Sequence, residues 1–322
     1  MSPATVCSPP EPPPPDSGHV NAAASARAMR WLMGEQCQTL PADRVLARRL
    51  QAALPWLARS LEMQRGFLFH STELFNQRLG IDQFITFSAG PYRPWPGLAV
   101  DLQPPCAAVP RAAFVHVNVL AATGESGRHC GHRHTCAGLA EMLRLLRHPA
   151  LNDLDRRRPV GVLVDDIGPL TDSTADLQFG LDRLREWLPP GSAIALTHST
   201  TDLVPAGRQP AVRAYDRLAR LSTQATGRPY QPRRRAEIEN LLAPWTLAGE
   251  GAVPTGAFFP DHAHAQLPEH HSGAYAAMAL HPLHPDYAKH PDYNPSSPGS
   301  PTDWAAHPAP AQEARGEQAG TS

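Results

Sequence analysis

Gln83–Pro91, QFITFSAGP, is the stretch on which the fold turns. Phe84–Phe87 is a short apolar run of aromatic and β-branched side chains, and Ser88-Ala89-Gly90-Pro91 is a small-residue turn that stops it. Three further runs of the same kind follow, at Ala113–Val117, Val160–Val164 and Ala193–Thr197. They are continuous rather than alternating, as strands covered on both faces are, and helix-length segments at Cys136–Arg147 and Ala175–Leu188 lie between them. The pattern predicts an α/β fold, a doubly wound parallel sheet with helices on both faces. Trp245–Ala248 and Ala274–Leu280 are weaker candidates for a closing pair. Ligands of such sheets bind outside the carboxyl ends of the strands, near the point where strand order reverses. That directs attention to Ser88–Tyr92, Asn118–Ala121, Asp165–Pro169 and His198–Asp202.

An N-terminal helical extension precedes the sheet. A helical stretch opens near Ala22–Leu32, and another begins at Pro41, a residue suited to a first helical turn. Leu46, Leu50, Leu54, Leu57 and Leu61 form an amphipathic stripe that Pro55 should break or kink. A further helix is expected over Gly66–Leu79, capped by Gly80. Residues 1–21 and 281–322 are rich in Pro, the second also in His, and read as disordered tails around one domain at 22–280.

Composition narrows the function. Hydrophobic residues make up 42%, enough for a core, and no apolar run reaches the length of a membrane span. The N-terminus has neither the basic start nor the apolar segment of a secretory signal, and five cysteines without framework spacing suit a reducing cytoplasm. With 29 basic and 30 acidic side chains there is no overall attraction to nucleic acid, and neither nucleic acid nor membrane is expected as a partner.

Several landmarks carry a family resemblance: SARAMRWLMGEQ and LPADR (Ser25–Gln36, Leu40–Arg44), MQRGFLFHSTELFNQRLGIDQF (Met63–Phe84) and PALNDLDRRRPVGVLV (Pro149–Val164). LDRLREWLPPGSAIALTHSTTD (Leu181–Asp202) and RRRAEIENLLAPWTLAGEGAVP (Arg233–Pro254) follow in order. From about Ser25 to Leu280 the chain resembles the S-adenosylmethionine-dependent methyltransferases abundant in actinobacteria. The resemblance implies a Rossmann-like class I methyltransferase sheet, with S-adenosylmethionine over the first two strand ends and an unidentified, small-molecule substrate. It puts Thr86, Ser88, Gly90, Asn118 and Arg65 at the cofactor, and Asp165, Asp166 and His198 where substrate and methyl group meet.

The chain departs from the family's pattern at the cofactor. The first strand of the family ends in Asp and a Gly-x-Gly turn, where Thr86, Ser88 and Gly90 stand here; the second ends in an acid, where Asn118 stands. Asn can accept one ribose hydrogen bond and donate another, but without charge, and each lost charged hydrogen bond costs about 1.5–3 kcal/mol. Two readings stay open, a working methyltransferase and a catalytically inactive relative that binds a ligand or protein.

Other features have plainer explanations beside their functional ones. Asp165 and Asp166 serve either as a base or substrate-orienting pair, or as caps of the following turn. His198 either lines the pocket or bonds to nearby backbone, the commoner fate. His129, Cys130, His132, His134 and Cys136 are zinc-type ligands, but in one tight knot rather than two spaced dyads, and no metal is expected. The arginine triplets at 156–158 and 233–235 read as solvated faces.

Overall fold

In the computed structural model all six residues of the run Gln83–Ser88 are buried, forming β1. The structure describes residues 24–34, 40–88, 103–119, 127–129, 132–136, 142–166, 173–204, 213, 216, 219–220, 230–258 and 268–282. The expected tails lie outside them, apart from His281 and Pro282. The other strands are β2 (Ala113–Asn118), β3 (Gly127–His129), β4 (His132–Cys136), β5 (Gly161–Asp165), β6 (Ala193–Ser199), β7 (Thr246–Leu247), β8 (Val253–Pro254) and β9 (Ala274–Leu280). They form one sheet in the order β3-β4-β2-β1-β5-β6-β9-β7, with β8 also paired to β9. The neighbours β4, β2, β1, β5 and β6 run parallel; β9 is antiparallel to β6, and β3 to β4. The chain leaves β1 for β2 on one side and later returns to place β5 on the other. The reversal point of the doubly wound sheet therefore lies at β1 and β5.

Period-two alternation divides the core. Ile85, Phe87, Val115, Val117, Val162, Val164, Ile194 and Leu196 share one cluster with Leu177, Leu181 and Leu184, and with Ile238 and Leu241. Those partners belong to two helices, one at Thr174–Trp187 and the other at Arg235–Leu242. Phe84, Phe114, Leu163, Ala195 and Met278 pack on the opposite face against Phe67, Leu68 and Phe75. A register slip of one residue would exchange the two sets.

Three helices precede the sheet: α1 (Ala24–Leu32), α2 (Pro41–Ala53) and α3 (Leu57–Leu79). Asp43 on α2 is fully buried. It accepts from Arg27 Nε on α1 at 2.6 Å and from the Leu40 amide at 2.8 Å, tying the first two helices together while capping the second. α3 ends at Gly80 with φ 66, as expected, but starts at Leu57 rather than Gly66. Pro55 lies in the turn between α2 and α3, so the leucine stripe is split over two helices, and Leu50, Leu54 and Leu57 pack together at the bend. The other helices, in chain order, are α4 (Pro105–Ala108), α5 (Met142–Leu145), α6 (Thr174–Trp187) and α7 (Arg235–Leu242). The helix expected over Cys136–Arg147 is shorter: Cys136 closes β4, and α5 covers only Met142–Leu145 among the described residues. Trp245–Ala248 and Ala274–Leu280 do form a closing pair, as β7 and β9. No helix among the described residues is long and apolar enough to cross a membrane.

Gly161 opens β5 opposite Phe84. A Cβ there would lie 2.4 Å from Phe84 Cδ1, and the Phe84 ring is itself stacked on Phe114 at 4.9 Å. The ring has no exposed side to retreat to. Gly161→Ala is therefore expected to destabilise the fold by about 1–3 kcal/mol, measured as a lower urea midpoint; an unchanged midpoint would show that the ring can move.

Candidate functional site

The residues at the carboxyl ends of the central strands follow from register. Thr86 and Ser88 of β1, His116 and Asn118 of β2 and Asp165 of β5 alternate with Ile85, Phe87, Val115, Val117 and Val164 and so face the α3 side, like Phe84, Phe114 and Leu163. Ser88 is opposite Asn118, and Asp165 is opposite Thr197. One step beyond the Phe87–Val164 pair, Ser88 and Asp165 stand level on adjacent strands. The result is a polar row, Asn118–Ser88–Asp165–Thr197, with neighbouring strands about 4.8 Å apart. Asn118 and Asp165 are half-buried, and Ser88 is buried. One position deeper, Thr86 faces His116, whose ring stacks on Phe114. The Thr86 hydroxyl is buried with no hydrogen-bond partner among the described residues. Arg65 is buried on α3, the helix covering this face. Gly90 lies outside the described residues.

Asp166 has a different part. It follows β5 with φ 46, a left-handed conformation uncommon for a residue with a side chain. Its carboxylate accepts from the Ser199 amide at 2.6 Å and the Ser199 hydroxyl at 2.7 Å, with the Tyr230 hydroxyl at 3.5 Å. Its own amide donates to Thr197 Oγ1 at 3.1 Å. Asp166 thus straps the end of β5 to the end of β6. Burial pushes its pKa up to about 7, against the lowering effect of the Ser199 bonds.

His198 shares a face with Ile194 and Leu196, turned from the polar row toward α6 and α7. It is fully buried, with Nδ1 2.9 Å from the Ser199 carbonyl and Nε2 3.1 Å from Arg233 Nη1. A guanidinium has no acceptor, so Nε2 accepts and Nδ1–H donates to the carbonyl. Burial lowers the imidazole pKa to about 3, and His198 is neutral. Arg233 also reaches Thr174 Oγ1 at 3.3 Å, and its amide donates to Ser199 O at 3.2 Å. This corrects the reading of residues 233–235 as a solvated face: Arg235 is exposed, but Arg233 is buried because a neutral histidine and a helix-start threonine receive its guanidinium.

The structure therefore brings Thr86, Ser88, Asn118 and Asp165 together, sets Asp166 as a strap, and leaves His198 behind the sheet. Tyr230 was not singled out from sequence; Ser199 lay unremarked within the strand-end stretch 198–202, and Arg233 within a triplet read as a solvated face. The His129–Cys136 knot forms the β3–β4 hairpin, and its side chains lie outside the described residues. Among the described residues no group of three or more His, Cys, Asp or Glu could hold a metal ion.

Asp166 gives the fold a pH signature. Its folded pKa of about 7 lies above the ordinary 3.8, so the folded protein keeps a proton that the unfolded chain releases. The stability it contributes is whole below pH about 4 and is lost as pH climbs through about 7. Asp166→Asn cannot ionise, so its urea midpoint is expected to fall less than that of the wild type between pH 4 and 8. Parallel profiles would show that Asp166 ionises as easily folded as unfolded.

The family model for S-adenosyl methyltransferases matches residues 115–282, from the middle of β2 to just past β9. No curated protein matches the chain. Two solved structures share its fold. A candidate methyltransferase from Thermobifida fusca YX has a TM-score of 0.64 at 21% identity, over 80% of this chain and 96% of the other. A DUF574 family protein from Streptomyces avermitilis MA-4680 has 0.65 at 23% identity, over 82% and 100%. With half of its length matched and its strands in the order described, the chain belongs to the S-adenosyl methyltransferase family, whose cofactor is S-adenosylmethionine.

Proposed function

We propose that residues 22–280 form a methyltransferase domain that holds S-adenosylmethionine across the carboxyl ends of β1 and β2 and methylates a small molecule lying above β5. The polar row over the reversal point carries this reading, because it puts hydrogen-bonding side chains where a doubly wound sheet receives its ligand. The residues fit the cofactor. Thr86 keeps a buried hydroxyl with no partner among the described residues, Ser88 brings another hydroxyl to the same face, and Asn118 offers an acceptor and a donor for the ribose diol. Gly90, which follows β1 in sequence, and Arg65 on α3 complete the set. When bound, the cofactor supplies an electrophilic methyl group on a sulfonium.

The chain's task is then alignment of an acceptor lone pair with that methyl carbon, and exclusion of water. Asp165 borders the place where acceptor and cofactor meet. Asp166 and His198, with their polar atoms engaged by Ser199 and Arg233, hold the surrounding strand ends. Five cysteines without framework spacing support a cytoplasmic setting, and the balanced charge supports a small substrate rather than nucleic acid. Thr86 and Asn118 in place of carboxylates favour a second reading, a catalytically inactive binding module.

Calorimetric titration separates the two. Micromolar binding of S-adenosylhomocysteine, weakened about tenfold or more by Asn118→Ala, is the outcome expected of a methyltransferase. No heat at millimolar cofactor would leave the binding-module reading.

A further inference from the structure

Asp165 and Asp166 are adjacent in sequence, but the structure separates their work. Asp166 leaves the strand at φ 46, and its oxygens accept from Ser199 while its amide bonds to Thr197. Asp166 therefore has a structural part, as a strap between the ends of β5 and β6. Asp165 stays within β5, in register with Thr197, level with Ser88 and on the α3 face. In the row Asn118–Ser88–Asp165–Thr197 it is the carboxylate.

S-Adenosylmethionine carries two cationic groups, the sulfonium and the α-ammonium of its methionine part, and one carboxylate. A cation taken out of water needs an opposite charge or a full set of acceptors. At the ends of β1 and β2 the site offers the neutral side chains Thr86, Ser88 and Asn118. The distance from β2 to β5 across β1 is two strand spacings, roughly 10 Å. With its ribose at Asn118, a nucleoside extended along the strand ends toward β5 would bring its amino-acid end within reach of Ser88 and Asp165.

We infer that Asp165 is a cofactor-binding residue, the carboxylate that receives the α-ammonium group of S-adenosylmethionine and of its product. The inference rests on the proposed cofactor position over β1 and β2, and it assigns Asp165 to ligand binding rather than to removal of the acceptor's proton. Asp165→Asn keeps the size of the side chain and removes its charge.

Two probes test it by titration calorimetry: S-adenosylhomocysteine, and 5′-methylthioadenosine, which has the same nucleoside and thioether but no amino acid. Asp165→Asn is expected to weaken S-adenosylhomocysteine about tenfold or more while changing 5′-methylthioadenosine less than about twofold. Asn118→Ala, at the ribose end, is expected to weaken both. Unchanged S-adenosylhomocysteine affinity in Asp165→Asn would overturn the inference and leave Asp165 to the acceptor. Equal weakening of both ligands, or a lowered unfolding midpoint, would make Asp165 a residue of the framework instead. A wild-type protein that binds neither ligand would remove the cofactor position itself, and the inference with it.

Discussion

The close approach of the Phe84 ring to Gly161 sets the geometry of everything above it. Gly161 has no side chain, and the space a Cβ would need is taken by a ring atom at 2.4 Å. The same ring stacks on Phe114 of β2, so one aromatic side chain lies across three strands at the base of the α3 face. Phe84 pairs with Gly161 at the start of the β1–β5 register and with Phe114 one step into the β1–β2 register, and each later pair follows one residue at a time. Four residues on, Ser88 arrives beside Asn118 and level with Asp165. A packing contact with no chemistry of its own thus places the polar row at the strand ends, because a slip of one residue would turn that row into the opposite layer.

The strand ends are secured separately. Asp166 straps β5 to β6 through Ser199, and β6 is tied onward by the Thr200 amide bonded to Gly273 O, next to β9. α3 joins the same region through Ser60, whose hydroxyl bonds to Ser272 O. Behind the sheet, His198 stays neutral because burial lowers its pKa to about 3, so its Nε2 remains an acceptor for the guanidinium of Arg233. Protonation would place two cations at 3.1 Å and leave both without that bond. The burial that forbids His198 a proton is also what lets an arginine sit beside it.

The sheet was legible because strands covered on both faces must be apolar at nearly every position, and the runs at 84–87, 113–117, 160–164 and 193–197 are. The β3–β4 hairpin was not, because Gly127–His129 and His132–Cys136 carry polar residues that composition assigns to a loop or a metal knot. The break of the leucine stripe at Pro55 was legible too, but the start of the next helix at Leu57 rather than Gly66 was not. Arg233 was hidden inside a run of like charges; its burial depends on His198, 35 residues away. In the site, Thr86, Ser88 and Asn118 were readable as strand-end residues. The division of labour between Asp165 and Asp166 was not, for it rests on a left-handed backbone at a non-glycine and a serine 33 residues on.

The family match begins at Val115, in β2, and so leaves out β1 with Thr86 and Ser88. A carboxylate supplies a site with both hydrogen bonds and charge. Hydroxyls and an amide can replace its hydrogen bonds but not its charge. Asp166 is a poor replacement, since with a pKa of about 7 it is only partly ionised at neutral pH and its oxygens are turned to Ser199. A carboxylate on the next strand, in the same layer and level with Ser88, meets both needs without disturbing the strap. With the cofactor in the proposed position, the two adjacent acids at the end of β5 would divide into one structural and one ligand-facing group, because the backbone turns between them.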